Sequence, residues 1–305
     1  MRIWIFILGM VALSLTLPHG QAAESFIIVD NQTGEILGGS DPNEKRQIAS
    51  VTKIATAMVV LDAEENKLVR LSDNVTVPPQ ALAEGGVNPA GLQPGDVISI
   101  RDLLYCALLS SDNTAAYTLA NHVGRLLPNR TGLDPAGNFV AHMNALARVL
   151  EMKRTLFLNP SGIDSSEDPA PYSTAADIAR LTRYAYQQGD FRFFVSQTSR
   201  EIHLNRNGQN VDVRLQNTNP LLGQEGIDGV KTGRTSKAGD CIVLSSYRNP
   251  EVIKDGNNIT QTPRRIIVVV LGSRDRASEG ISLVRQGWRL YEEWAAKGRK
   301  SSKTL

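Results

Sequence analysis

Apolar positions change their spacing along this chain in a way that marks out its elements. Ile3 to Leu17 is an almost unbroken apolar run behind Met1-Arg2. Phe26-Ile27-Ile28-Val29 is a short run of the kind a buried strand shows. The turn-rich Asp30-Asn31-Gln32-Thr33-Gly34 then lets Glu35-Ile36-Leu37 return as a hairpin partner. From Ile48 to Leu61 the apolar residues are dense and free of Gly and Pro, which predicts a helix. Prolines and glycines from Pro78 to Gly95 mark an irregular connection. Helical spacing resumes over Ile100–Leu109, Thr114–Leu126, Pro135–Leu150 and Thr174–Gln188. Strand-like runs return at Asp228–Lys231, Cys241–Tyr247 and Ile266–Gly272. A last helix, Glu279 to Lys297, places Ile281, Val284, Trp288, Tyr291 and Ala295 on one face. The polar stretch Asn249 to Pro263 reads as a long hairpin loop, and the basic residues 298–305 as a disordered tail.

Strands at both ends and helices between them imply an α/β fold. One antiparallel sheet is built from both chain ends and flanked by helices, with a mainly helical lobe inserted at about residues 54–200. Residues 1–22 read as a secretory signal peptide: a short positive start, an apolar core, the breaker Pro18-His19-Gly20 and small residues at the cleavage positions. Fifteen apolar residues fall short of the roughly 20 that span a bilayer. The expected product is an exported periplasmic or extracellular enzyme with a single domain at residues 23–297. The last helix is expected to pack on the sheet, with no stable membrane anchor.

Composition narrows the function classes. The 305 residues are 41% hydrophobic and 21% charged, ordinary for a globular chain. With 33 basic against 31 acidic residues, the net charge of +2 carries no nucleic-acid footprint. Two cysteines and four histidines leave little for a disulfide scaffold or a metal cluster, and no cofactor is implied. Cys106 and Cys241 read as buried thiols, with a bridge between them the alternative that an oxidising compartment permits. There is no G-x-S-x-G or H-E-x-x-H motif.

Three short motifs carry the candidate chemistry. In Ser50-Val51-Thr52-Lys53 a three-residue step puts Ser50 and Lys53 on one helix face. A serine hydroxyl needs a base to become a nucleophile, and an amine one turn away can be that base. Alone, the pattern is as well explained by a serine N-cap and a solvated lysine. Ser111-Asp112-Asn113, between two helices, is equally readable as an N-cap. Lys231-Thr232-Gly233 closes a strand. It is no phosphate-binding loop, since Val230 stands where glycine is required.

Taken together, in this order on helix, loop and strand, the three resemble the serine D-alanyl-D-alanine carboxypeptidases, the low-molecular-mass penicillin-binding proteins. The resemblance extends to Asp102-Leu103-Leu104-Tyr105, Asn159-Pro160-Ser161-Gly162, Asn217-Thr218-Asn219 and Ala238-Gly239-Asp240-Cys241, and covers roughly Phe26 to Trp294. It implies a β-lactamase/transpeptidase-like fold and a peptidase that removes the terminal D-Ala of peptidoglycan stem peptides. It also implies covalent inhibition by β-lactams. Ser50 would be the nucleophile and Lys53 the base, with its pKa lowered by the nearby cation of Lys231. Ser111 would shuttle a proton, and Asn113 would position the substrate amide. Lys231, Thr232 and Thr235 would hold the terminal carboxylate. Gly233 completes that motif, and the backbone N–H groups of Ser50 and Arg234 would form the oxyanion site. Relatives often carry His where Arg234 stands. Two alternatives stay open: an endopeptidase cutting D-Ala–diaminopimelate cross-links, and a non-catalytic β-lactam- or peptidoglycan-binding module.

Overall fold

The run Ile266–Leu271 has every side chain fully buried, which requires a strand covered on both faces. That strand is the centre of the molecule. The computed structural model describes residues 23–129, 132–164, 170–255 and 258–305; the signal-peptide reading at 1–22 lies outside them. Along the chain come β1 (Ser25–Asp30), β2 (Ile36–Ser40), α1 (Lys53–Glu65), β3 (Asn74–Thr76), the single turn α2 (Gln80–Ala83) and β4 (Val97–Ser99). Then follow α3 (Ile100–Leu108), α4 (Asn113–Leu126), α5 (Pro135–Val149), α6 (Ala175–Ala185), α7 (Gly189–Ser196), β5 (Ser199–Arg206) and β6 (Gln209–Gln216). β7 (Ile227–Thr235), β8 (Gly239–Asp255), β9 (Asn258–Ser273) and α8 (Arg276–Ala296) close the fold.

The main sheet is antiparallel, in the order β2-β1-β9-β8-β7, so both chain ends build it. Side chains alternate between its faces with the period of two that a strand imposes. Ile28, Ile242, Leu244, Val268 and Val270 join Trp288 and Tyr291 of α8 in one apolar cluster. Ile27, Val29, Val243, Ile267, Val269 and Leu271 face the helical lobe in the other. Gly287 lets α8 approach closely: a Cβ there would stand 2.8 Å from Ile266 and Ile28. Trp288 donates its indole N–H to Ser246 Oγ, so the helix is packed on the sheet. Within the lobe, α1 is buried on nearly every face, as a central helix must be. Ser99, Asp112, Asp134 and Thr174 each cap a helix by accepting a backbone N–H.

Several expectations are corrected. The inserted part runs beyond residue 200: a second sheet, β3-β4-β5-β6, belongs to it, and β5 and β6 are joined at Asn207-Gly208. Asn249 to Pro263 is no loop, because β8 and β9 continue pairing from Glu251↔Thr262 to Asp255↔Asn258. The tail 298–305 is not disordered. The buried Glu35 carboxylate accepts bonds from Ser301 Oγ, Ser302 N, Ser302 Oγ and Lys303 N, and Ile36 N donates to Lys303 O. Cys106 and Cys241 are free, buried thiols. Among the described residues no helix is long and apolar enough to cross a membrane.

Candidate active site

Ser50 stands in a 3-10 turn, Ala49–Thr52, that leads directly into α1. It caps nothing, which removes the N-cap explanation of the motif. Ala49 holds φ +48°, a left-handed conformation uncommon outside glycine, and so fixes the direction in which Ser50 enters the turn. One helical step on, Lys53 is completely buried and its ammonium donates three bonds: to Ser50 Oγ at 2.9 Å, Asn113 Oδ1 at 2.7 Å and Ser161 O at 2.8 Å. Burial lowers its pKa to about 7, against an opposing pull from the Asp112 carboxylate. A lysine in that state is half neutral near pH 7 and can take a proton from the hydroxyl it touches.

The loop between α3 and α4 supplies the next group. Asp112 caps α4 by accepting Ala115 N at 2.9 Å and also holds Ala90 N at 3.0 Å. With its carboxylate so fixed, Asn113 is aimed at Lys53, and its amide donates to Gly85 O at 3.2 Å. Gly86 is required beside it, because a Cβ there would fall 2.0 Å from Asn113 Nδ2. Ser111 lies on the same loop with φ +66°. No hydrogen bond ties its hydroxyl to Ser50 or Lys53 among the described residues.

β7 forms the opposite wall. Gly233 is what lets it close on the turn: a Cβ would meet Ser50 N at 2.9 Å and Ile48 O at 3.1 Å. Lys231 is buried and donates to Thr232 O at 3.0 Å. Burial, then the charges of Lys53 and Arg276, hold its pKa well below the lysine range. Burial is the first cause of the lowered Lys53 pKa, and two buried ammoniums as near as Lys53 and Lys231 disfavour each other's charged form. Thr232 Oγ1 shares a 2.7 Å hydrogen bond with Thr218 Oγ1, and Thr235 Oγ1 accepts Ala238 N. Arg234 points outward, its side chain 76% exposed and 3.5 Å from Asp240.

The structure thus gathers Ser50, Lys53 and Asn113 by direct contact, and sets Lys231–Thr235 against the turn that carries Ser50. Sequence reasoning assigned no role to three participants: the Ser161 carbonyl, Thr218 and Arg276. Arg276 donates to Gly233 O at 2.9 Å. The first two lie in motifs already quoted for the resemblance; a backbone acceptor or a tether to Thr232 has no signature of its own. No group of three or more His, Cys, Asp or Glu residues fit to hold a metal ion occurs among the described residues.

The family model described as D-alanyl-D-alanine carboxypeptidase, Peptidase S11, matches residues 14–255. The D-alanyl-D-alanine carboxypeptidase DacC of Escherichia coli is 31% identical over 282 residues, covering 88% of this chain and 62% of its own. The D-alanyl-D-alanine endopeptidase of Pseudomonas aeruginosa is 32% identical over 239 residues, covering 77% of this chain and 70% of its own. The chain spans about three fifths of the length of the first carboxypeptidase. Among solved structures, the Streptomyces K15 DD-transpeptidase superposes with a TM-score of 0.75 at 28% identity, covering 88% of this chain and 97% of that one. The β-lactamase/transpeptidase-like fold is therefore the one adopted.

Proposed function

Since this chain belongs to the D-alanyl-D-alanine carboxypeptidase family, we propose that it removes the terminal D-Ala from peptidoglycan stem peptides through an acyl-enzyme on Ser50. The observation that carries this reading is the 2.9 Å contact between Ser50 Oγ and a wholly buried Lys53 whose pKa lies at about 7. Neutral Lys53 takes the hydroxyl proton as Oγ bonds to the penultimate carbonyl carbon. The oxyanion is met by the backbone N–H groups of Ser50 and Arg234, donors that need no reorganisation. As the C–N bond breaks, the proton reaches the departing amine through Ser111, and D-Ala leaves. Water then cleaves the ester and restores Ser50. Asn113 positions the substrate amide. Lys231, Thr232 and Thr235 hold the terminal carboxylate, an anion that favours the charged form of the buried Lys231.

Export belongs to the same proposal, because the substrate lies outside the cytoplasmic membrane and residues 1–22 have the composition of a signal peptide. β-Lactams, which present a strained amide to the same serine, act as covalent inhibitors. Every hydrogen-bond partner of Lys53 is neutral (a hydroxyl, an amide and a carbonyl). Class A β-lactamases deacylate with the Glu of a Glu-x-x-Leu-Asn segment; the counterpart here, Thr155-Leu156-Phe157-Leu158-Asn159, carries Thr155 in its place, bonded to Ser173 and Asp177. The penicilloyl ester should therefore persist for minutes.

The test is release of D-Ala from a stem pentapeptide ending in D-Ala-D-Ala, run beside intact-mass measurement after benzylpenicillin. D-Ala release together with a trapped adduct on Ser50 is expected. Cleavage of cross-linked muropeptides alone would make the chain an endopeptidase. An adduct without turnover of any peptide would make it a binding module.

A further inference from the structure

Directly beyond the Lys231–Thr235 wall lies a pocket of about 530 Å³, lined by Arg234, Thr235, Ser236, Asp240, Ser273 and Arg274. Most of its lining surface is polar, which favours a polar or charged group over an apolar side chain.

The charge in the pocket has a definite sign. Arg234 pairs with Asp240 across β7 and β8, and Asp240 pairs with Ser273 on β9, so Arg234 and Arg274 stand on either side of one row of the sheet. Asp164 accepts a hydrogen bond from the lining Ser236 at 3.2 Å; among the described residues Asp240 is the one acid in the lining itself, and it is already matched. Arg276 reaches it at 3.3 Å and Arg234 at 3.5 Å. Arg274 is exposed and has no ion pair among the described residues. Arg274 therefore lines the space with no acid paired to it, and guanidinium is the side chain best shaped to receive a carboxylate.

We propose that this pocket receives a second carboxylate carried on the side chain of the leaving residue, so that the enzyme prefers substrates whose C-terminal D-amino acid is acidic. This rests on the carboxypeptidase reading above. The chemistry is unchanged: Ser50 Oγ forms the ester as the C–N bond breaks, and the leaving amine takes the proton. Water later releases the acyl group, and the acidic D-amino acid departs free. What the pocket adds is affinity for the leaving side, with Arg274 as the specificity-determining residue.

Three stem peptides that differ only in the last residue test it: D-Ala, D-Glu and the neutral isostere D-Gln. The expected kcat/KM is about threefold to fivefold higher for D-Glu than for D-Gln, the size of a partly exposed ion pair, and the gap shrinks at high salt. Arg274→Gln should erase the preference, and Arg274→Glu should invert it. Both variants should leave D-Ala release within about twofold of the parent, since Arg274 lies outside the catalytic groups. Equal rates for D-Glu and D-Gln in the parent, or a preference unchanged in Arg274→Glu, overturn the pocket while leaving the carboxypeptidase reading intact. If no peptide is cleaved, D-Ala included, the carboxypeptidase reading fails and the pocket proposal falls with it.

Discussion

The two walls of the cleft each bury a lysine and treat it differently. On the helical side, Lys53 has three acceptors from three separate segments. Its proton is shared in a fixed geometry, and burial brings its pKa down to about 7. On the sheet side, Lys231 is equally buried but among the described residues bonds only to the neighbouring Thr232 carbonyl, and two further cations press on it. A ligand carboxylate is the group that would relieve that repulsion. One wall is thus complete without substrate, as a proton acceptor must be. The other becomes complete only when an anion arrives. The difference supports the division in the proposed mechanism, with chemistry on the helix side and binding on the strand side.

The largest effect should come from Ser50→Ala. Hydrolysis should fall by at least about 10³-fold in a D-Ala release assay. Because Ser50 caps no helix, the melting temperature should scarcely move; retained turnover would break the assignment of chemistry to this wall. Next, Lys53→Arg should cost about 10²–10⁴-fold in kcat, since a guanidinium cannot become the neutral acceptor. Lys231→Arg keeps the cation and should act mainly on KM. Overpacking costs about 1–3 kcal/mol at either buried site, so the contrast must be read on protein confirmed folded by circular dichroism. Equal kcat losses would erase the comparison.

The contrast can also be sharpened by pH. If neutral Lys53 is the base, kcat/KM should rise with pH through a limb near 7. Asp112 favours the charged amine, so Asp112→Asn should move that limb to lower pH. The stability sign follows from the same group. The unfolded chain holds the lysine proton up to the ordinary 10.5 and the folded chain only to about 7. Between those values the unfolded state binds more protons, so stability rises with pH, and Lys53→Met should flatten that slope in urea titrations.

The helical wall was the more legible in sequence. Ser50 and Lys53 are local partners on one turn, and helical spacing alone brings them together. The third contact of Lys53, to Ser161 O, joins segments 108 residues apart, and no periodicity announces such a meeting. The main sheet was readable because its strands are continuous apolar runs such as Ile266–Leu271. β5 and β6 were missed because they are half-exposed and mostly polar, with Ile202, Leu204 and Leu215 their only fully buried residues. The Asn207-Gly208 pair between them was a usable hairpin signal. The exposed end of the β8–β9 hairpin read as a loop for the same reason: its ladder is made by backbone, which composition does not report.

A moderate effect is expected where the walls touch. Gly233→Ala places a Cβ 2.9 Å from Ser50 N, so β7 must retreat from the nucleophile's turn. We expect kcat/KM to fall about tenfold to a hundredfold, because small displacements of reacting groups are costly. Penicillin acylation should slow in parallel. A variant with full activity would show that the walls are not in register through this glycine.

The smallest effect should come from Glu35→Gln, at the far edge of the sheet wall. Burial pushes the Glu35 carboxyl up, but hydrogen bonds from Ser302, Ser301 and Lys303 outweigh it and leave the pKa below the usual value. A carboxyl depressed in the folded state stabilises above its unfolded value of about 4.5 and loses that contribution as pH falls through the folded value. Glutamine keeps one acceptor oxygen but neither the charge nor the second acceptor, so about 1–3 kcal/mol should be lost at neutral pH. Parent and variant should differ in melting temperature by a few degrees at pH 7 and converge in acid. D-Ala release should change less than about twofold, because the tail acts on β2 and the catalytic groups lie beyond β7 at the opposite edge. A variant that kept its melting temperature would show that the tail rests on the sheet without holding it. One that lost activity in proportion to stability would show that the sheet wall transmits strain from edge to edge, against the division between a rigid acceptor side and a yielding binding side.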